Sequence, residues 1–267
     1  MRLLLVGAGN MGFAMAQGWL EMPGLDVVVL RPRPKNWLDQ GTDFDRFRVV
    51  SSPESLKSEA FDAVVLAVKP HKIAEVTSEL MSNIASADLV ISVAAGTPLT
   101  QIKTFFANSQ PIVRVMPNVP AAIGLGACVC VGDIDDAKKQ FVNNLLRPLG
   151  SVHWIDDEEL MHPVVALCGS GPAYFFLLAD IMAKQAMKMG ISPELAQTLA
   201  GETIFGAGGM LTKSSRSADE LKKSVASPGG TTEAALRVLE GEKGLEEIMI
   251  SAMEACASRS QELARGD

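Results

Sequence analysis

Residues 3–12 read Leu3-Leu4-Leu5-Val6-Gly7-Ala8-Gly9-Asn10-Met11-Gly12, and the reading of this stretch decides the fold. The aliphatic run is a strand buried on both faces, and the glycine run after it opens a helix extending to about Leu20. Gly7 to Gly12 has the spacing G-x-G-x-x-G in the strand–turn–helix setting that gives the motif meaning. Gly7 allows the tight turn, Gly9 lets the backbone approach a pyrophosphate, and Gly12 lets the helix pack closely on the strand. Ala8, Asn10 and Met11 carry the intervening N–H groups, and the dipole at the helix start favours an anion there. Without that setting the glycines would be only a structural turn.

Outward from this unit the same alternation continues. Val27–Leu30, Arg48–Val50, Ala63–Val68, Leu89–Val93, Ile112–Met116 and Ala127–Val131 are short apolar runs separated by helical stretches. Strands apolar on both faces and alternating with helices predict an α/β fold, a Rossmann-type doubly wound parallel sheet. The pattern changes near Ser151–Asp156, and from Asp157 onward no strand is expected. The predicted helices are Met161–Met189, interrupted at Gly169-Ser170-Gly171-Pro172; Pro193 to about Lys213, capped by Ser192; Ala218–Val225; one beginning after Gly230; and Leu245 to about Ala264. The expected organisation is a nucleotide-binding domain over residues 1–155 and an all-α C-terminal dimerisation domain over 156–267. The dimer has a physical reason. Met161–Met189 is apolar nearly all round, so it must be buried on all sides, and one small helical domain has too little interior to hide it.

Composition narrows the classes of function. A net charge of −7 over 267 residues argues against nucleic acid or an anionic membrane surface as partner. Cys128, Cys130, Cys168 and Cys256 are too scattered for a disulfide framework, and Cys128-x-Cys130 has no second ligand pair at metal spacing. Free thiols in a reducing cytoplasm, and no metal, are the reading. Arg2, the apolar start and Ala14-Met15-Ala16 mimic a short secretory signal, but Gly7, Gly9, Asn10 and Gly12 interrupt it. No stretch is expected to reach the roughly 18–20 apolar residues of a membrane span.

The second strand ends Leu30-Arg31-Pro32-Arg33-Pro34-Lys35, where NAD enzymes usually carry an acid for the ribose 2′-hydroxyl. Cations there suit a 2′-phosphate, with Arg31 offering a bidentate fork, so NADPH is favoured and NADH is the alternative. A solvated basic loop is the competing explanation. Ala67-Val68-Lys69-Pro70 and Ala94-Ala95-Gly96 follow the next two strands and lie where ligands of open α/β sheets bind. Lys69 taken alone fits a surface position equally well.

In Leu221–Glu240, Ser227-Pro228-Gly229-Gly230 forms a turn and Thr231-Thr232-Glu233 starts a helix. Either threonine could cap that helix. The turn also presents N–H groups suited to a carboxylate. Here the chain closely resembles the pyrroline-5-carboxylate reductases. The matches are Gly7–Gly12 with Asn10-Met11, Ala67–Pro70, Val113-Arg114-Val115-Met116-Pro117-Asn118, Ala166-Leu167-Cys168-Gly169-Ser170-Gly171-Pro172-Ala173-Tyr174, and Ser227–Thr232, in the family's order over essentially the whole chain. The resemblance implies NADPH-dependent reduction of the cyclic imine 1-pyrroline-5-carboxylate to L-proline by an intertwined homodimer; some family members assemble further, as pentamers of dimers. It implies that Ser227, Gly229, Gly230 and Thr231 hold the substrate carboxylate and that the Thr232 hydroxyl meets the imine nitrogen. Met116, Pro117 and Asn118 would border the nicotinamide, and Gly169–Pro172 would kink the helix to open the pocket.

This chain departs from the family pattern at Val119, where Thr is frequent, at Ser217-Ala218, where His-Pro is frequent, and at Ser224, where an acid or amide is frequent. The chemistry agrees with an imine. Only His71, His153 and His162 are present, and none lies in the 227–232 turn. A carbonyl reductase normally needs an acid to protonate the nascent alkoxide. An imine arrives protonated and leaves as a neutral amine, so positioning suffices. Two other classes compete: a hydroxyacid or prephenate-type dehydrogenase, using His162 or Lys184, and a non-catalytic dinucleotide-binding protein, which would have no use for the 227–232 turn.

Overall fold

The computed structural model describes residues 1–20, 22–31, 46–56, 59–85, 87–106 and 110–265. Arg2–Val6 (β1), Asp26–Leu30 (β2), Phe47–Val50 (β3), Ala63–Leu66 (β4), Leu89–Ser92 (β5), Ile112–Met116 (β6), Gly126–Val131 (β7) and Gly150–Trp154 (β8) form one sheet, ordered β3-β2-β1-β4-β5-β6-β7-β8. Side chains alternate across it with the strand period of two. Leu3, Leu5, Val27, Val29, Ala63 and Val65 face one core with Met15 and Trp19 of Asn10–Trp19 (α1). Leu4, Val6, Val28, Leu30, Val64 and Leu66 face the other. That second face is covered by Ile73–Glu79 (α2), Met81–Ala85 (α3) and Leu99–Thr104 (α4), through Ile73, Ile84 and Ile102. Asp136–Leu146 (α5) lies on the first face through Val142, Leu145 and Leu146. Helices cover both faces, which is the doubly wound arrangement expected.

The sheet departs from strict parallel order at one junction. β6 pairs antiparallel with β7, although every other pairing is parallel. The connection explains this. Between Met116 and Gly126 there is only a 3₁₀ turn, Val119–Ile123, ended by Gly124 at φ 70°, too short for the crossover that parallel strands need. β8 was not expected from the sequence, because Gly150–Trp154 is an edge strand with only one side packed. Val152 and Trp154 rest on the first core, while Ser151 and His153 point outward, joined by a 3.0 Å hydrogen bond between Ser151 Oγ and His153 Nε2.

The helical region follows as Met161–Val164 (α6), a π turn Val165–Gly169, Gly171–Lys188 (α7), Pro193–Lys213 (α8), Ala218–Val225 (α9), Thr231–Leu239 (α10) and Leu245–Arg265 (α11). No strand occurs there. The expected interruption at Gly169–Pro172 is a wide turn closing α6 and a fresh start of α7 with Pro172 in its first turn.

The chain divides into two compact units: Met1–Gly169 with the segment from Ala257, and Ser170–Cys256. The second unit is short of core. α7 and α8 meet through Ala183, Ala196 and Ala200, while Phe175, Phe176, Leu177, Ile181, Leu195, Phe205 and Leu211 are exposed. An apolar surface of this extent marks an interaction face. The expectation that no stretch could span a membrane needs correction. By length and composition the helical run Glu158–Lys188 is long and apolar enough to do so. The same composition arises in the core helix of an assembly.

Candidate active site

The residues expected to bind the nucleotide form one row along the C-terminal edge of the sheet. Val6 pairs with both Leu30 and Leu66, and Leu66 with Ser92, so the next residues, Gly7, Arg31, Ala67 and Val93, stand level. The ladder runs one residue past the strands: Gly7 N–H donates to Leu30 O (2.9 Å), Ala67 N–H to Val6 O (2.8 Å) and Val93 N–H to Leu66 O (3.0 Å). The chain reverses direction of travel across the sheet between β1 and β4, and the crevice of a doubly wound fold opens at that switch.

Each glycine of the opening motif has a different steric reason. Gly7 sits at φ +92°, and a Cβ there would lie 2.7 Å from Ala67 O and 2.8 Å from Val68 Cγ1. Gly12 is tighter, since its Cβ would meet Gly7 O at 2.3 Å and Ala67 Cβ at 3.2 Å. Gly9 has open space beside it and is the N-cap of α1, with no side chain capping the helix. The first-turn N–H groups of α1, around the exposed Asn10 and the half-buried Met11, are thus left for an incoming anion. Ala8 and Ala94 are buried, so their contribution to a ligand is backbone, whereas Lys69, Pro70 and Ala95 are exposed. Arg31 is held by its own N–H on Val50 O (2.8 Å), and its Nη1 is buried with no hydrogen-bond partner among the described residues. A buried, unpaired guanidinium nitrogen calls for an anion, and it stands in the row where a 2′-phosphate would arrive. Arg33 and Lys35 lie outside the described residues. These residues fit a phosphorylated dinucleotide.

Beyond the β4 and β5 loops a cavity of about 750 Å³ is lined by Pro70, His71, Ala95, Gly96, Thr97 and Gln101, with Leu263 and Arg265 of α11. The Thr97 hydroxyl in its wall is buried with no hydrogen-bond partner among the described residues.

Met116 and Asn118 at the end of β6 have a role that motif matching did not reveal. Asn118 Oδ1 accepts from Ala127 N–H (2.9 Å), and its Nδ2 donates to Cys168 O (3.2 Å) in the π turn. Both ends of the amide are engaged. Asn118 therefore borders the site as a tie between β7 and the π turn, rather than as a free hydrogen-bonding group. Met116 reaches the same turn: a Cβ on Gly169 would lie 2.4 Å from Met116 Cε. Such π turns recur at functional sites. One further residue escaped the sequence reading. Arg114, almost wholly buried in β6, pairs with Glu158 (2.7 Å), which also accepts from Leu99 N–H (2.8 Å). The signal was available: a charge inside an apolar strand demands a partner.

The 227–232 turn is defined by Gly230 N–H on Ser227 O (2.9 Å), Gly229 at φ +72° and Gly229 N–H on the Glu233 carboxylate (2.6 Å). Gly230 is the N-cap of α10 and no side chain caps it, so neither Thr231 nor Thr232 is a helix cap. The expectation of several free N–H groups is reduced, because those of Gly229 and Gly230 are used within the turn. The N–H groups of Thr231, Thr232 and Glu233 begin the helix and have no intrahelical acceptor. Ser227 and Thr231 are exposed and Thr232 half-buried in the single chain.

Two of the departures from the family pattern have structural roles. Ser217 and Glu220 form a capping box on α9, Ser217 Oγ accepting from Glu220 N–H (3.2 Å) and Glu220 accepting from Ser217 N–H (2.7 Å). Ser224 Oγ donates to Leu221 O (2.7 Å) in its own helix. Val119 is exposed. The acids and bases that a hydroxyacid dehydrogenase would use are committed elsewhere: His162 is buried with Nδ1 on Ser260 Oγ (2.9 Å), and Lys184 pairs with Asp180 (2.6 Å). All four cysteines are free. Burial pushes the Cys128 thiol up to about 12 and Cys130 still higher, so both are inert at neutral pH.

Comparison with known proteins is consistent with this geometry. The family model for pyrroline-5-carboxylate reductase dimerisation matches residues 158–263, and one described as NADP oxidoreductase, coenzyme F420-dependent, matches 2–96. A pyrroline-5-carboxylate reductase of Haemophilus influenzae is 35% identical, covering 98% of this chain and 97% of its own. The structure of the Coxiella burnetii enzyme of that name superposes with a TM-score of 0.87 at 33% identity, covering 98% of both chains. The NADP-bound Plasmodium falciparum pyrroline carboxylate reductase gives 0.85 at 29%, covering 99% of this chain and 98% of that one. With a catalytic-domain fingerprint at its start, the threonine turn near its end and relatives aligned along nearly its whole length, the chain belongs to the pyrroline-5-carboxylate reductase family.

Proposed function

We propose that the protein reduces 1-pyrroline-5-carboxylate to L-proline, consuming NADPH and one proton and releasing NADP⁺. The observation that carries this is the 35% identity over 98% of the chain to a reductase of that name. When bound, the nicotinamide supplies the hydride. The chain's own residues bind and orient. The α1 N-terminus and the open backbone at Gly9 receive the pyrophosphate, and Arg31 receives the 2′-phosphate. Ala67–Pro70, Ala94 and Ala95 flank the ribose and nicotinamide, with Met116 and Asn118 at its far end. Ser227 and the free N–H groups of Thr231 and Thr232 bind the substrate carboxylate on the turn that Gly229 and Gly230 shape, and the Thr232 hydroxyl positions the imine nitrogen. No titrating acid is needed, since the protonated imine becomes a neutral amine on reduction.

Residues 1–155 serve the nucleotide and 156–267 the dimer and the substrate. The exposed apolar faces of α7 and α8 are covered by a second copy, giving a homodimer in which each site draws on both chains. The free thiols suit the cytoplasm.

The test is NADPH oxidation with the imine against hydroxyacid and keto-acid controls; turnover of a control but not of the imine overturns the assignment. Thr232→Ala is expected to lower kcat by about tenfold or more, the loss of one transition-state hydrogen bond. An unchanged rate removes Thr232 from the chemistry. Arg31→Glu is expected to raise the KM for NADPH by about tenfold or more while that for NADH changes little, because only the former has a charge for the guanidinium to bind. Equal effects on both cofactors remove Arg31 from the phosphate site.

A further inference from the structure

We infer that Glu233 is a positioning residue for the substrate carboxylate, an inference that rests on the imine reductase reading. Ser227–Gly230 is poorly constrained by its own side chains. Gly229 is at φ +72° and Gly230 follows it, the most permissive backbone pair available, and Ser227, Pro228 and Gly229 are all exposed. Two hydrogen bonds hold the turn among the described residues. One is the internal bond from Gly230 N–H to Ser227 O; the other is the bond from Gly229 N–H to Glu233 Oε2. The second ties the turn to the first turn of α10, whose N–H groups at Thr231 and Thr232 are those that would meet the substrate. Glu233 therefore sets the angle between the flexible diglycine and the helix.

The carboxylate also brings a negative charge towards a site meant for another carboxylate. Arg237, one helical turn on, lies 3.1 Å from the same Oε2 and offsets that charge. Glu233 thus acts through its acceptor oxygen, and a neutral amide oxygen at the same place would serve as well.

A glutamate at this position could be no more than a helix-start residue reaching back to a free N–H, as in a capping box. The two roles separate in kinetics. Glu233→Ala is expected to raise the KM for the imine by about tenfold, with kcat within about twofold and the Kd for NADPH unchanged, because a misplaced turn weakens ground- and transition-state binding alike. Glu233→Gln is expected to restore the KM to within about twofold of wild type. Thermal unfolding and NADPH titration of both variants establish that they are folded. An unchanged KM in the alanine variant, or a glutamine variant as impaired as the alanine one, overturns the inference. Wild-type enzyme inactive on the imine would instead remove the reading on which it rests.

Discussion

Gly12→Ala is expected to lower kcat/KM for NADPH by about 100-fold, with a lower thermal midpoint besides. The added methyl would lie 2.3 Å from Gly7 O and 3.2 Å from Ala67 Cβ. The first is a backbone atom of the Gly7–Gly12 turn itself, and no rotamer change relieves the overlap. Relief requires α1 to move away from Gly7, which separates the helix N-terminus from the turn proposed to shape the pyrophosphate site. Displacements on the order of 1 Å at such sites cost about 100-fold in rate. Gly9→Ala provides the internal contrast in the free protein. Its Cβ meets nothing within 4 Å, so stability should hold while the occupied space interferes with the nucleotide. NADPH titration together with thermal unfolding distinguishes the two variants. A Gly12→Ala protein that binds NADPH as the wild type does would mean that the turn is not the pyrophosphate site.

Glu158→Ala should have the largest effect on stability, about 3 kcal/mol, which for a chain of this size lowers Tm by about 5 °C. The Arg114 side chain is only 3% exposed, and Glu158 is its ion-pair partner. Removing the carboxylate leaves a buried guanidinium unpaired and the Leu99 N–H without its acceptor. Glu158→Gln keeps an acceptor oxygen and should lose less. Differential scanning calorimetry of the two variants tests the ordering, and equal midpoints for Glu158→Ala and wild type would show that the pair contributes nothing.

Much of the fold could be read in the sequence because its signals are local. Leu3–Val6, Val27–Leu30 and Ala63–Val68 are apolar on both faces, and that pattern belongs to strands sandwiched between helices. Ser192-Pro193 and Ala218–Val225 marked their helices by cap chemistry and periodicity. β8 was missed because an edge strand with one packed side carries Ser151 and His153 outward and reads as a loop. The reversal at β7 depends on the length of the 117–125 connection, which no periodicity records. At the site, Gly7 and Gly12 were legible because their positions tolerate little else, and Gly9 through its place in the G-x-G-x-x-G spacing. Asn118 was legible only as a motif member, since its partners at Ala127 and Cys168 are brought to it by the tertiary fold. Glu233 was hidden for the same reason. Its spacing suits a helix start, and only the coordinates place its oxygen on Gly229 N–H.

In the proposed reaction hydride passes from NADPH to the carbon of a cyclic C=N bond in a site with no titrating acid. The most direct measurement uses NADPH deuterated at the transferring position of the nicotinamide, with 1-pyrroline-5-carboxylate as acceptor and mass spectrometry of the product. The expected product is proline carrying one deuterium at the former imine carbon, formed at a rate reduced by Thr232→Ala. Absence of labelled proline, with label entering a hydroxyacid from a keto-acid control instead, would contradict it.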